Sequence, residues 1–521
     1  MEDLVVEDAR KTDPEPSQAI QAKSPLFSLH SHRLRICLLM AVAIFVVSSN
    51  RMSMSVGIVC MVNSTVSYTS EHSNASTTSI KACQRQESSE EEETKSMGEL
   101  FWSPPQQTLL LASASYGSLT MIAFSGLMAD SFGPSKLLAV VLATSAAMTL
   151  LVPTLARTNY WVLLVSRVVI GMGEASLMPS TNCMAARWFP KTEKTTLAAL
   201  YTSGFQLAAG FGSLLAAELC RAEALGGWQS IFYVFGGFAA IFTGIFLIFA
   251  KGKPRENRWT SPQEKAFLEA AIPTNFKRPS FLKAPWKAII TSKPLHSVML
   301  CSFAFSYSIN IMQGFLPLFL KESFSLPVRT IGHYVLVCFV MQIIGKSFLG
   351  PMTDYFAKHG YLSLTTSTKV SQAFGSFGAS ICSLLIAFLP SCDHPEYALY
   401  ILIGFGAVNA GAVCGYYTSI LTIAPRYTGT ISAICSICGV LAASSASTLV
   451  SALTKINTPY KWPLIFGSAA FFQSISGLHY LLFGTTNELE WSKASSESSD
   501  KVADLPRKSE LTSNDLITSK A

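Results

Sequence analysis

The stretch VVSSNRMSMSVGIVCMVN, residues 46–63, carries a single charged side chain, Arg51, in a run otherwise apolar or small enough to cross a bilayer. A guanidinium facing lipid at that depth costs about 3 kcal/mol or more. Its presence calls for an anion or a water-filled cavity, and a guanidinium binds carboxylate or phosphate oxygens in a two-point fork. Anion binding is therefore the chemistry Arg51 suggests. An ion pair inside the protein and snorkelling to the interface are the alternatives, the latter opposed by about a dozen residues between Arg51 and the outer helix end. A second charged feature, SRVVIGMGEAS at 166–176, sets Arg167 and Glu174 seven residues apart, nearly two helical turns, on one face. Gly171 and Gly173 between them permit close helix packing. A carboxylate so placed holds or releases a proton according to whether a guanidinium stands beside it, so Glu174 is a candidate proton-coupling group; a permanent structural ion pair is the alternative.

Composition defines the setting of these charges. Of 521 residues 50% are hydrophobic and only 14% charged, with mean hydropathy +0.36, far from a soluble globular chain. The chain reads as an all-α polytopic membrane protein. Twelve apolar segments of spanning length centre on 36–62, 106–129, 137–156, 161–182, 197–219, 230–250, 296–320, 330–353, 370–390, 397–421, 430–453 and 463–484. The net charge of +7 does not imply nucleic acid, because in such a chain the location of charge matters more than its sum. The 12 cysteines are scattered, mostly in apolar runs, with no metal-ligand spacing, and read as small core residues; Cys83 and Cys392 fall in loops on one side and could pair.

Loop charge gives orientation. The 251–294 loop has ten basic residues against three acidic ones and should be cytosolic, whereas 63–102 has seven Glu against three basic residues and should be lumenal or extracellular. Glycosylation sequons at Asn63 and Asn74 fall in that second loop. The expected organisation is a cytosolic N-terminal tail (1–35), a six-helix bundle (36–250) with the glycosylatable loop 63–102, a basic cytosolic linker (251–295), a second six-helix bundle (296–484) and a cytosolic C-terminal tail (485–521). No cleaved signal peptide is apparent.

A weak internal repeat supports the division. SGLMADSFGPSK at 125–136 follows the second segment and LGPMTDYFAKHG at 349–360 the eighth, with Gly126 and Asp130 corresponding to Gly350 and Asp354. The first of these resembles the loop signature Gly-x-Leu-Ala-Asp-Arg-x-Gly-x-x-Lys of the major facilitator superfamily, with Ser131 in place of Arg. That resemblance implies a gating motif made of Gly126, Asp130, Gly133, Lys136 and Asp354.

Further segments, NRMSMSVGIVCMVN, VSRVVIGMGEASLMPS, RWFPKTEKTTLAALYTSG, GGWQSIFYVFG and IAPRYTGTISAI, together resemble the solute carrier 17 family of organic anion transporters: sialin, the vesicular glutamate and nucleotide transporters, and the type I sodium/phosphate transporters. The resemblance spans about 36–491. It implies that Arg51 faces the central cavity and binds the substrate anion with Arg167, that Glu174 couples protons, and that Tyr116 and Tyr201 stand near the cavity. It also marks departures: Ile170 where sialin-like members carry a further Glu, Phe305 and Leu111 where glutamate transporters carry Arg and His, and Ser419 and Thr422 where the family carries Asn and Asp. A divergent member is implied, not a glutamate transporter, with a monomer able to function.

The expected function is secondary active transport of a small organic anion of the carboxylate class by alternating access, coupled to H+. Sodium-coupled or potential-driven transport of phosphate or an organic anion, and an anion sensor without turnover, are alternatives. No cofactor beyond H+ or Na+ is expected. An enzyme is disfavoured, since no nucleophile with its base, metal cluster or phosphate-binding glycine loop is present. Other intramembrane polar groups are Gln342, Asn409 and Lys346, the last read as near the cytosolic end, where it can snorkel. Location is a multi-pass membrane protein of the plasma membrane or a lysosomal or vesicular membrane. If the 63–102 loop is lumenal, N-glycosidase treatment shifts the mobility of the full chain expressed in mammalian cells, and Asn63→Gln with Asn74→Gln removes that shift; an unshifted wild type contradicts the orientation.

Overall fold

The computed structural model describes residues 26–28, 31–62, 99–222, 226–272, 285–324, 326, 328–456 and 460–492. Asn63, Asn74 and Cys83 lie outside them. Among the described residues ten helices are long and apolar enough to cross a membrane, and 194–221 and Lys461–Phe483 complete twelve. In order they are α1 (His32–Met61), α2 (Pro104–Phe132), α3 (Pro134–Thr158), α4 (Tyr160–Trp188), α5 (194–221), α6 (Trp228–Phe249), α7 (293–324), α8 (Val328–Lys358), α9 (Leu364–Phe388), α10 (Tyr397–Thr422), α11 (Thr428–Ile456) and α12 (Lys461–Phe483).

Local sequence explains the boundaries. Ser103 opens α2 through a reciprocal capping box with Gln106, followed by proline. Gly133 separates α2 from α3 at φ +103°, a conformation other residues rarely adopt, and Pro134 begins α3. Among the described residues four helices are interrupted: α5 by a π-helical turn at Ala208–Gly212, α7 by one at Asn310–Phe315, and α4 and α10. In α4 the break falls at 175–176, and in α10 a π-helical turn spans Val413–Tyr417.

Helices α1–α6 pack around buried Trp188, Phe189 and Phe246 at one end and Trp228 and Phe232 at the other, while α7–α12 pack around Phe405 and Phe466 and, separately, Tyr416 and Tyr480. Close approach within the first half depends on glycine. A Cβ on Gly117 would meet the Val168 carbonyl oxygen at 2.0 Å and one on Gly171 that of Ala114 at 1.8 Å, so α2 and α4 touch backbone to backbone. Gly173, expected to serve packing as well, would meet nothing nearer than 3.9 Å.

The linker between the halves holds a helix, Pro262–Ala271, that sequence periodicity did not reveal. Its buried Glu264 accepts hydrogen bonds from the backbone N–H groups of His32 and Arg33 at 2.9 and 3.1 Å and from Arg33 Nε at 3.1 Å. The carboxylate thus caps the N-terminus of α1, where the helix dipole favours negative charge. Arg33, fully buried, also reaches Glu193 at 2.6 Å. Burial pushes the Glu193 carboxyl up, against the lowering effect of Arg33. Helix α1 thus begins at His32, four residues before the expected span, with Arg33 neutralised. We call the end of the molecule bearing this linker the linker end and the opposite one, where 63–98 departs, the loop end.

Cys60 at the end of α1 and Cys220 at the end of α5 form a disulfide, with Cα atoms 6.3 Å apart, which corrects their reading as simple core residues. Spacing alone gave no signal, since 160 positions separate them. Cys392 is also disulfide-bonded. Non-reducing peptide mapping should recover the Cys60–Cys220 link, and replacing both with serine should cost about 2–4 kcal/mol of stability, read as a lower thermal midpoint in detergent; an unchanged midpoint contradicts a structural role.

Candidate functional site

Two sets of polar residues bear on function, one joining the halves at the linker end and one lining the first half nearer the loop end. The first set is built on Asp130 at the foot of α2. Its carboxylate accepts from Gly429 N at 3.0 Å, Thr430 N at 2.9 Å and Thr430 Oγ1 at 2.8 Å, so it caps α11 of the other half. Asp354 at the foot of α8 accepts from Thr196 N at 2.7 Å in the first turn of α5. Each half thus supplies a carboxylate to a helix N-terminus of the other, where the dipole rewards it. Gly126 lets α2 approach: a Cβ there would meet the Gly429 carbonyl oxygen at 2.4 Å. Gly350 faces Thr196 and Ala199 in the same way, with nearest atoms at 3.1 Å. Gly133 shapes the turn, and Lys136 lines a pocket of about 240 Å³ with Asp130, Arg187 and Arg426.

Next to these caps runs a hydrogen-bonded chain across the seam. Asn182 Oδ1 accepts from Tyr201 Oη at 2.9 Å and Tyr417 Oη at 2.6 Å, and its Nδ2 donates to Ser432 Oγ at 2.8 Å. Lys194 Nζ donates to the Leu421 carbonyl at 2.8 Å. Tyr201, expected near the cavity, is fully buried within this seam, and its hydroxyl ties α5 through α4 to α10. Asn182, at the edge of an expected span, carried a signal that went unused, an amide inside an apolar helix.

The second set centres on Arg51. Its Nη1 pairs with Glu174 Oε1 at 3.1 Å and its Nη2 reaches Ser115 Oγ at 3.5 Å, joining α1, α4 and α2. Ser115 lies eleven residues, three turns, before Gly126, and so on the face of α2 that meets the other half. The Arg51 side chain is 46% exposed and that of Glu174 14%. The hydrogen bonds that join the halves through Asp130, Asp354, Asn182, Lys194 and Lys346 lie on the linker side of this pair. The pair therefore sits on an inner wall that opens toward the loop end, with the linker end closed beneath it.

Arg167 does not take the place that sequence spacing offered it. It is only 2% exposed and its Nε has no hydrogen-bond partner among the described residues, while Arg51, from a different helix, holds the carboxylate. Glu174 Oε2 is buried without a partner as well. Tyr116 is 54% exposed and has no hydrogen bond among the described residues. Lys346 is not near an interface where it could snorkel; it is 2% exposed and bonded across the seam. No group of three or more potential metal ligands occurs among the described residues.

Comparison with known proteins agrees with this architecture. The profile of the Major Facilitator Superfamily matches residues 40–448. The solved proton:xylose symporter XylE shares the fold with a TM-score of 0.64 at 16% identity, over 89% of this chain and 98% of that one. The chain belongs to the major facilitator superfamily of membrane transporters, as a divergent member similar to the solute carrier 17 proteins. It is 29% identical to the uncharacterized transporter slc-17.3 of Caenorhabditis elegans, over 90% of this chain and 91% of the relative. It is 26% identical to the human sodium-dependent phosphate transport protein 1, over 75% and 83%.

Asp130→Ala removes three hydrogen bonds to a charged acceptor. It should weaken linker-end closure by about 2 kcal/mol, roughly thirtyfold in the open-to-closed ratio, read as faster linker-side labelling of a cysteine placed at Ser432. Unchanged labelling contradicts a closing role for Asp130.

Proposed function

We propose that this chain is a secondary active transporter that carries a small oxyanion by rocking its two halves about a central site, with Arg51 as the anion ligand and Glu174 as the proton-coupling group. The observation that carries the reading is the exposed Arg51–Glu174 pair at 3.1 Å on the inner wall. A substrate carboxylate or phosphate competes with Glu174 for the guanidinium. When the anion takes the fork, Glu174 loses its cation in a poorly solvated place and becomes free to accept a proton. Anion and proton then load together, and re-pairing of Arg51 with Glu174 expels both on the other side. Arg167, buried nearby, adds positive potential to the site without touching the carboxylate.

Sodium coupling of a phosphate substrate is the second reading, favoured by the name of the human relative, a sodium-dependent phosphate transport protein. The same fork would hold phosphate, so the two readings differ in the coupling ion. We place both termini and the basic linker on the cytosolic side on the strength of loop charge, which makes the open loop end extracellular or lumenal, and we take the functional unit to be a monomer.

The test is uptake of labelled phosphate, sialate, urate and glutamate into proteoliposomes under a proton gradient, a sodium gradient or a potential, imposed singly. A proton-driven anion should accumulate in the wild type, with Arg51→Ala raising KM roughly ten- to a hundredfold through loss of a charge-assisted contact. Glu174→Gln should retain anion exchange while losing accumulation driven by the proton gradient. Accumulation under the sodium gradient alone would establish the second reading, and accumulation undiminished in Arg51→Ala would overturn both.

A further inference from the structure

Lys346 places an amine near the middle of α8, buried between the two halves of a membrane protein, and the two-residue exchange above gives it no task. Its Nζ donates to Gln206 Oε1 at 2.9 Å and Thr202 Oγ1 at 3.3 Å, both on α5 of the other half. Both acceptors are neutral. No ion pair reaches Lys346 among the described residues, and an ammonium has three donors, of which these bonds use two. While protonated, such a group is costly in a low-dielectric seam, and an anion arriving beside it would offset that cost.

Its surroundings are polar and incomplete in the same way. Gln342, one turn earlier on α8, is fully buried with both amide atoms unpartnered, and so is Asn409 on α10. These helices are in contact, since a Cβ on Gly345 would lie 2.9 Å from Ala410 Cβ. Cys414, in the π-helical turn of α10, is a buried free thiol within electrostatic reach of Lys346.

The depth of Lys346 follows from α5. Gly204, between the two acceptors, packs on Ala41, Ile44 and Phe45 of α1, whereas Gly212 packs on Ser49. Lys346 therefore lies at the level of residues 41–45 of α1, roughly 9–15 Å from Arg51 toward the linker end at 1.5 Å per residue. It stands beside the Tyr201–Asn182–Tyr417 chain, at the floor of the space that Arg51 lines.

We propose that Lys346 is a second cationic station for the transported oxyanion, used when the linker end opens. The bonds to Gln206 and Thr202 cross between the halves, so the rocking that separates α5 from α8 breaks them and releases the ammonium. An anion leaving the Arg51 fork then finds three unoccupied donors further along its path, and closing the linker end returns Lys346 to its neutral acceptors and discharges the anion. Neutral partners suit this task better than a carboxylate, which would hold the ammonium too firmly for the substrate to displace it. The proposal rests on the alternating-access reading above.

Cys414 supplies a test that does not require the substrate to be known. The full chain in proteoliposomes is treated from the linker side with the anionic 2-sulfonatoethyl or the cationic 2-(trimethylammonium)ethyl methanethiosulfonate, and modification of the Cys414 peptide is followed by mass spectrometry. With Lys346 charged, the sulfonate reagent should react about tenfold faster than the cationic one, as expected of a focused local field. Lys346→Met and Lys346→Gln should abolish that preference and Lys346→Arg should keep it. No preference in the wild type, a preference that survives Lys346→Met, or no reaction from the linker side overturns the proposal. A preserved sulfonate preference with no transport of any anion tested would remove the substrate reading and leave the anion station standing.

Discussion

The structure depends on a carboxylate from each half lying at a helix N-terminus of the other. Asp130 on α2 caps α11, and Asp354 on α8 caps α5. Buried carboxylates are costly unless their charge is met by several donors, and the first turn of a helix provides backbone N–H groups and a favourable dipole together. These caps form only if the two halves touch at the linker end, and glycines at 126 and 350 bring the backbones near enough for the bonds to close. The caps lie at the linker end, and Arg51, further toward the loop end, is 46% exposed.

The same logic governs the rest of the seam. Hydrogen bonds between the halves use neutral acceptors, amides and hydroxyls, wherever they are not these caps: Asn182 with Tyr417 and Ser432, Lys346 with Gln206 and Thr202. Each such bond contributes only about 1 kcal/mol net, a strength compatible with the proposed opening of the seam. Contacts within a half are different in kind. Backbone-to-backbone contact of α2 with α4 through Gly117 and Gly171 leaves no room for adjustment, which would keep Ser115 and Glu174 in place around Arg51 during the proposed rocking.

Much of this was legible in the chain. The number of spanning helices, the division into halves and the paired aspartate motifs follow from apolar runs, loop charge and a weak repeat, because each is a local property with its own period. Arg51 was found for the same reason, as a charge in an apolar run. Its partner was not. The seven-residue spacing of Arg167 and Glu174 suggested a pair along α4, yet the nearer guanidinium comes from α1, a contact that only packing can decide. Tyr201, placed near the cavity by resemblance, is fully buried and bonded to Asn182, a partner that spacing does not show. Lys346 could be given either a snorkelling or a buried position from sequence, and which one holds depends on what α8 faces. The disulfide from Cys60 to Cys220 and the cap that Glu264 places on α1 are likewise long-range and leave no periodic trace.

The central claim is that the two ends of the seam open reciprocally about the Arg51 pair, and distances between spin labels test it most directly. One pair of labels, at Phe132 and Tyr361, spans the linker end, and another, at Trp161 and Phe388, spans the loop end; all four side chains are exposed. On addition of a transported anion with its coupling ion, the linker-end distance distribution should gain a longer component while the loop-end distribution gains a shorter one. Distances that lengthen together at both ends, or that stay fixed while the anion is transported, would contradict the account.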